Sequence, residues 1–430
     1  MSAAAILVAF LILRVAQQLA ESGLGRLNRR YYLGPAHQRE AETVLGIGPE
    51  DMRRTLAYSE DKYRFGMLST WLHLLIFLVF LAAGGLGLFE AWAKTLVAMF
   101  AGAADHPILV GLAFFAILGL ASLILNVPFG WYRTFVLEQK HGFNRQTSGG
   151  FVLDLLKGVV VAVLLGTPII ALILWIIGHT GNLWWIWAWI AMSVFSILTA
   201  WLYPTLLAPL FNKFAPLPEG ELKENINALA GRIGFHMAGV YVMDASKRSS
   251  HGNAYFTGVF GKKRIVLFDT LVESMAVPEV VAVLAHELGH FKLKHVFWGL
   301  IRGILMTGLT FFLLSLLLPL ASFYHAFHLD GVSGYGALIV FGLWLGLLDF
   351  VTQPAMNLIS RRNEFAADRF ARENIGNATD LSTALLKLRE KSQAMPITHP
   401  LYSSIYYSHP PLLERLEALR GDVRTAAALS

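Results

Sequence analysis

Seven long apolar segments constrain this chain more than any other feature of its sequence. They cover residues 3–20, 67–89, 107–127, 158–177, 183–203, 296–320 and 335–353. A hydrocarbon core ~30 Å thick takes about 20 apolar helical residues to cross. The alternative, helices buried in a soluble core, would require seven nearly uncharged helices of this length in one domain. We therefore expect a polytopic membrane protein with seven transmembrane helices.

The distribution of Lys and Arg predicts how these segments are oriented. Of the 35 Lys and Arg residues, 32 lie in alternate loops on one side, Lys94 lies on the other, and Arg14 and Arg302 lie inside apolar segments. Because cytoplasmic loops are enriched in Lys and Arg, we expect the N-terminus outside and the C-terminus in the cytoplasm. The first segment, interrupted by Arg14, could instead be a cleaved signal peptide, but the basic start of such a peptide is missing.

Composition excludes several classes of protein. With 55% apolar and 15% charged residues, the chain is not a disordered polypeptide. A net charge of +6 without a basic run or a recognition motif argues against nucleic-acid binding. Because the chain has no Cys, any metal must be bound by His and carboxylate side chains.

Two hydrophilic regions are long enough to fold, and we expect them to form one composite cytoplasmic domain because each alone would bury a small core. The predicted division is transmembrane helices 1–5 in residues 1–203, the first part of this domain in 204–295, helices 6–7 in 296–353, and the second part in 354–430. Within the first part, 219–233 reads as an amphipathic helix, and 239–243 and 264–268 read as short strands.

A metal-binding pattern lies just before the sixth apolar segment. In Pro278-Glu-Val-Val-Ala-Val-Leu-Ala-His-Glu-Leu-Gly-His290, His286 and His290 are one helical turn apart. Their imidazoles therefore share a face and can bind one Zn²⁺, while Glu287 can act as general base toward a water molecule.

A third ligand is expected from the helical stretch 360–368, which follows the seventh apolar segment. Here Glu364 and Asp368 are one turn apart, so Glu364 can bind the metal while Asp368 accepts the distal N–H of His286. In isolation, this carboxylate pair beside several Arg residues would read as a solvated ion-pair helix. Asp330, in Leu329-Asp-Gly, resembles a zinc-site aspartate of another intramembrane protease class, but the charge pattern places it outside, where an Asp-Gly turn explains it.

These residues resemble the integral-membrane CAAX prenyl protease type 1 family, which are zinc endopeptidases with HExxH and a Glu third ligand. The resemblance rests on residues 135–147, 248–258 with 263–270, 285–295 with 360–368, and 407–415. Gly252 departs from the polar residue expected in many relatives. Neither end shows an endoplasmic-reticulum retrieval signal, so the chain resembles a compact, bacterial member of the family.

The resemblance implies a fold, a chemistry and a set of site residues. The fold would be an all-α polytopic membrane protein whose seven transmembrane helices enclose a water-filled chamber, with a small, mainly helical cytoplasmic zinc metalloprotease domain that contains a short β-sheet. His286, His290 and Glu364 would bind a single Zn²⁺ and Glu287 would be the base. In addition, Asn253 would hold the substrate backbone, and His409 and Arg415 would line the cleft. Chemical reasoning also supports the roles of His409 and Arg415, because an imidazolium or guanidinium can stabilise a developing oxyanion.

The predicted function is hydrolysis of peptide bonds near the C-terminus of prenylated proteins. The enzyme would lie in a bacterial inner membrane or the endoplasmic reticulum membrane, with its catalytic site on the cytoplasmic side and with the lipid bilayer and polypeptide substrates as its partners. One alternative is a membrane quality-control metalloprotease without prenyl selectivity. Another, of a different class, is a transporter or binding protein with a structural metal.

Overall fold

The computed structural model describes residues 2–101, 106–235, 237–248, 254–257 and 264–421. These residues are mostly helical. The helices are α1 (Ala3–Tyr32), α2 (Pro35–Leu45), α3 (Pro49–Ala82), α4 (Gly85–Ala101), α5 (Pro107–Tyr132), α6 (Ser148–His179), α7 (Trp184–Leu202), α8 (Ala208–Phe211), α9 (Glu221–Ile233), α10 (Asp269–Ser274), α11 (Val277–Lys292), α12 (His295–Leu317), α13 (Ala321–Ala326), α14 (Gly334–Ile375), α15 (Thr379–Ser392), α16 (Pro400–Tyr406) and α17 (Leu412–Arg420).

The predicted number of membrane spans is confirmed. Within the described ranges, seven helical segments are long and apolar enough to cross a membrane, and they overlap all seven predicted segments. They are centred on α1, α3, α5, α6, α7, α12 and α14, of which α5 and α7 continue through π-helical turns. All of them except α12 extend well beyond the apolar residues, so the same helices also build much of the water-facing part.

The predicted end of the second span, at residue 89, is wrong. Helix α3 ends at Ala82, and Gly84 has a φ of +77°, a backbone conformation that L side chains rarely adopt. The chain then turns into α4, where a Cβ on Gly87 would lie 2.2 Å from the carbonyl oxygen of His328. Apolar composition continues across this break, which is why hydropathy alone extends the span.

A small mixed sheet lies next to α11, the helix that carries His286 and His290. It has the strand order β1-β2-β4-β3, with β1 (Phe214–Pro216), β2 (Gly239–Met243), β3 (Ala254–Thr257) and β4 (Arg264–Phe268). Strands β2 and β4 are parallel, in the register Val240–Ile265, and the other two pairs are antiparallel. The predictions of β2, β4 and the amphipathic helix α9 are confirmed. The three-residue β1 and the four-residue β3 are too short for a periodicity signal.

Two large cores lie at opposite ends of the bundle. One joins the sheet, α9, α11, α15 and α17 with the ends of α1, α3 and α14, and it contains Met52, Leu267 and Leu284. The other joins the opposite ends of the spans and contains Phe114 and Tyr324. At most 28% of the residues in any apolar window are buried within the protein, so most side chains of the spans are left to face lipid or a cavity. The first of these cores, called the water-facing core below, therefore includes N-terminal residues as well as residues of both hydrophilic regions.

Candidate metal centre

Helix α11, which carries His286, Glu287 and His290, is held in place by its first turn and by its buried face. Pro278 occupies its first turn, where the missing N–H has no helical partner to lose. Just before the helix, the Ala276 N–H donates to Glu279 Oε2 over 2.8 Å. The six residues from Val280 to Ala285 are all buried and apolar, and all of them pack in the water-facing core. This burial fixes the rotation of the helix, so its two His residues face α14.

Helix α14 brings Glu364 to the two imidazoles. Its carboxylate lies 3.4 Å from His286 Nε2 and 3.2 Å from His290 Nε2, and the two Nε2 atoms are 3.2 Å apart. One ligand atom from each residue lies within 4.8 Å of the others. Because α14 is one continuous helix of 42 residues, the seventh span and the third predicted ligand are parts of the same element.

The cluster fits a divalent metal ion. Glu364 Oε2 is buried and takes part in no hydrogen bond with any described residue, which is costly for a carboxylate oxygen. His286 Nδ1 lies 2.8 Å from Asp368, so in the neutral imidazole the lone pair on Nε2 is directed toward the cluster. Two imidazole nitrogens and one carboxylate oxygen are the donors of many catalytic metal sites.

Asp368 and Arg415 form a layer behind His286. Asp368 Oδ1 lies 2.8 Å from His286 Nδ1, the contact that the sequence analysis expects. The same carboxylate accepts from Arg415 Nε over 2.8 Å and from Nη2 over 2.6 Å. Arg415 comes from α17, whose Leu416 and Leu419 are buried in the core. A bidentate pair of this kind fixes the carboxylate plane and through it the orientation of the imidazole.

The electrostatics of the α11 residues follow from burial and from these carboxylates. Burial by itself lowers the pKa of His286, but the contact with Asp368 and the nearby Glu364 carboxylate outweigh it and raise the pKa to about 9. Burial raises the pKa of Glu287 above its ordinary value, against the opposing charges of His286 and His290. A raised pKa brings the Glu287 carboxylate closer to the range in which a general base works well.

His409 and Arg415 differ in exposure. The side chain of His409 is 66% exposed, and its Nε2 lies 3.4 Å from Glu364 Oε1. The side chain of Arg415 is only 11% exposed, and its Nη1 lies 3.9 Å from Glu364 Oε2. His409 therefore lies on the open side of the cluster, where a substrate could contact it. The guanidinium of Arg415, by contrast, is paired with Asp368. Asn253, predicted to hold the substrate backbone, lies outside the described residues.

Sequence reasoning missed two residues near the cluster. His295 Nδ1 lies 3.0 Å from His290 Nδ1, because Lys294 adopts a left-handed conformation that turns the chain from α11 into α12. On α14, Arg361 Nη1 donates to three carbonyl oxygens in residues 403–407, 2.9 to 3.0 Å away, and fastens the segment that leads to His409. The signal in the sequence that points to His295 is the short turn between two adjacent helices. No sequence signal reveals backbone partners such as those of Arg361.

Asp330 and the charged residues that follow α5 lie away from the cluster. Asp330 contacts Lys94 over 3.0 Å just before the start of α14, about 45 Å along that helix from Glu364. The structure thus supports rejecting Asp330 as a ligand. Tyr58 and Asp61 of α3 contact the segment that follows α5. Tyr58 donates to Glu138, and Asp61 contacts Lys140 and His141. These contacts hold the loop against α3.

Comparison with known proteins assigns the family. A model described as CAAX prenyl protease N-terminal, five membrane helices, matches residues 38–213, and that of peptidase family M48 matches residues 216–423. The CAAX prenyl protease 1 homolog of Arabidopsis thaliana is 39% identical over 383 residues, 89% of this chain and 90% of that protein. The CAAX prenyl protease 1 of Saccharomyces cerevisiae is 41% identical over 326 residues, 72% of this chain and 71% of that protein.

A solved structure agrees with these matches over nearly the whole chain. The crystal structure of S. mikatae Ste24p has a TM-score of 0.89 and 34% identity, and the match covers 96% of this chain and 98% of that one. The shared features are therefore the fold of the entire molecule as well as its metallopeptidase sequence. This chain belongs to peptidase family M48, as a multi-pass membrane metallopeptidase of the CAAX prenyl protease 1 group.

Proposed function

We propose that this protein is a zinc metalloendopeptidase that cleaves near the C-terminus of prenylated polypeptides. The observation that carries the proposal is the convergence of His286 Nε2, His290 Nε2 and the Glu364 carboxylate, 3.2 to 3.4 Å from one another. Tetrahedral zinc with bonds of about 2.0–2.1 Å places neighbouring ligand atoms roughly 3.3 Å apart. The spacing therefore favours Zn²⁺ and leaves one position for the reacting groups.

The chemistry follows from the residues around that position. A zinc ion bound by these three side chains would supply Lewis acidity toward a peptide carbonyl and would lower the pKa of water. Glu287 accepts the proton of the attacking water and delivers it to the departing amine nitrogen. His409 stands beside Glu364 on the open side, where its imidazolium can donate to the developing oxyanion. Arg415 adds positive charge from behind while it holds Asp368 in place.

The proposed substrate class rests on the related proteins, and the proposed membrane orientation rests on the distribution of Lys and Arg. Proteins named CAAX prenyl protease 1 match most of this chain, which favours prenylated C-termini as the substrate class. The strong excess of Lys and Arg on one side favours a cytoplasmic catalytic site and an outside N-terminus. A water-filled chamber between the spans, which would admit an extended polypeptide, is proposed because the family resemblance implies it. Asn253 is proposed to hold the substrate backbone.

The two hydrophilic regions, 204–295 and 354–430, are proposed to act as one catalytic unit. Helices α11 and α14 supply the metal ligands from the two regions, and α17 adds Arg415. Arg389 of α15 donates to Thr55 of α3 over 2.6 Å, which ties this unit to the N-terminal helices. Movement of one region relative to the other would therefore separate the ligands.

The test uses Glu287→Gln, with Glu273→Gln in the neighbouring helix α10 as the matched control. In detergent or liposomes, the parent should cleave a farnesylated peptide faster than its unfarnesylated twin. Glu287→Gln should retain one zinc per chain and lose about 10²–10⁴-fold in turnover, the usual contribution of a general base. The Glu273→Gln control should keep the activity of the parent.

Three results would count against parts of the proposal. Undiminished cleavage by Glu287→Gln would discard the mechanism. Equal turnover of the two peptides would favour a quality-control protease without prenyl selectivity. Solute flux in liposomes that is insensitive to Glu287→Gln, without any peptide cleavage, would favour a transporter with a structural metal.

A further inference from the structure

A cationic groove lies where two membrane spans meet the water-facing part of the chain, and the metal site does not include it. Its volume is about 440 Å³. It is bounded by the start of α6, by the end of the segment that contains α7 and α8, and by the short turn after β2. Five cationic side chains and two carboxylates line it, an excess of three positive charges: Arg145, Lys157, Lys213, Lys247 and Arg248, with Asp154 and Asp244.

Three of these cations already have partners. Arg248 pairs with Asp154 over 2.8 Å and also donates to the Phe211 carbonyl oxygen over 2.6 Å. Lys157 donates to the Leu210 carbonyl oxygen over 2.8 Å, and Lys247 pairs with Asp244. These contacts build the walls of the groove and join α6, α8 and the sheet region into one rigid frame.

The remaining two cationic side chains, those of Arg145 and Lys213, are available to bind an anion. Both side chains are exposed, and neither forms a hydrogen bond or an ion pair with another residue that the structure describes. Their backbones are fixed, because the Arg145 N–H donates to the Arg248 carbonyl oxygen and the Lys213 N–H donates to Asp244 Oδ1. Two free cations on a fixed frame, beside already neutralised carboxylates, form a site for an anion.

The position of the groove identifies the kind of anion. Two apolar spans end at it, so it lies at the depth of the lipid headgroups on the same side as the metal cluster. Its membrane-facing edge is apolar, with Leu153 52% exposed and Leu210 45% exposed. Basic pockets between transmembrane helices at this depth suit anionic phospholipids, whose acyl chains would cover such an edge. A soluble anion would gain nothing from those leucines.

We propose that this groove binds an anionic phospholipid, with its phosphate between Arg145 and Lys213 and its acyl chains along Leu153 and Leu210. The lipid would bridge α6, α8 and the sheet region and would tie the water-facing part to the membrane at a fixed height. The proposal does not depend on the peptidase chemistry, because none of its residues contacts the metal cluster.

The test measures binding of dioleoyl phosphatidylglycerol to the purified full-length chain by native mass spectrometry, with dioleoyl phosphatidylcholine as the neutral comparison. The variant is Arg145→Gln/Lys213→Gln. The matched control, Lys391→Gln/Arg420→Gln, removes the same charge from α15 and α17, outside the apolar spans. Each cation near an anionic lipid is worth about fivefold in affinity, so the variant should bind phosphatidylglycerol about 25-fold more weakly. The control should bind like the parent.

Each other outcome overturns the proposal. Equal phosphatidylglycerol affinity in the variant and the control would show that the groove does not bind the lipid. Displacement of the lipid by glycerol phosphate at equal concentration would show a soluble-anion site instead. A loss of peptide turnover in lipid-free detergent, with lipid binding unchanged, would show that these cations contact the polypeptide substrate. If the double variant does not fold, the two single variants, each expected to lose about fivefold, give the same test.

Discussion

The substitution Asp368→Asn changes a residue that orients His286 and leaves all three proposed metal ligands in place. The carboxylate serves three donors at once, namely His286 Nδ1 at 2.8 Å and Arg415 Nε and Nη2 at 2.8 and 2.6 Å. An amide of the same shape keeps only one oxygen, so its NH₂ group must replace either Oδ1, which faces His286 Nδ1 and Arg415 Nη2, or Oδ2, which faces Arg415 Nε. The change also removes the negative charge that stabilises the Nδ1–H tautomer of His286.

The expected effect is on metal affinity. Loss of a carboxylate that orients a ligand His typically costs 10–100-fold in affinity, which corresponds to about 1.4–2.7 kcal/mol. We expect Asp368→Asn to fall in this range, while the matched control Asp380→Asn, a surface residue of α15 that contacts Asn377, keeps the affinity of the parent. Glu287→Gln should also keep it, because Glu287 is not among the three residues whose ligand atoms converge.

The assay is competition for zinc with a chromophoric chelator at one fixed pH, followed by metal analysis of the purified variants. Thermal unfolding is measured in parallel, because Asp368→Asn leaves Arg415 less well paired in a buried position. Unchanged zinc affinity in Asp368→Asn would refute the reasoning. A loss of affinity as large in Asp380→Asn would show that the effect is a general consequence of altered charge.

Three further predictions concern pH, orientation and stability. Because burial raises the pKa of Glu287, its carboxylate in the metal-free protein should titrate above 4.5 when followed by NMR, and titration at or below 4.5 would contradict this. His295→Phe removes the contact with His290 Nδ1 and should weaken zinc binding by about tenfold in the same competition assay, whereas unchanged affinity would make that contact incidental. Arg389→Met leaves Asp51 without its buried partner and should lower the free energy of unfolding by about 3–5 kcal/mol, measured as a lower Tm, and a Tm equal to that of the parent would contradict it.

Several parts of the site could be predicted because they depend on short-range spacing. His286 and His290 share a helix face wherever that helix lies, and Glu364 and Asp368 do the same on their own helix. The choice between Glu364 and Asp330 also came from sequence, since the alternation of basic loops separated them by a membrane. Whether the basic loops lie in the cytoplasm, and whether the source is a bacterium, remain predictions.

Other features had no short-range signal. The break after α3 requires a left-handed Gly84 within a continuous apolar run, and hydropathy does not respond to backbone conformation. His295 reaches His290 only because Lys294 turns the chain, and Arg361 binds carbonyl groups that every residue possesses. Such contacts depend on where distant backbone segments come to lie.

The amino-acid sequence by itself determined the seven apolar spans and the shared helix faces of His286 with His290 and of Glu364 with Asp368, because hydrophobic length and helical periodicity act over one or a few turns. Only the tertiary structure decided which carboxylate oxygen faces which imidazole and that α14 continues unbroken from the seventh span to Glu364. It also placed N-terminal residues such as Met52 in the same core as the metal-binding helix. These outcomes depend on the packing of segments hundreds of residues apart, and a periodicity confined to one helix carries no information about its neighbours.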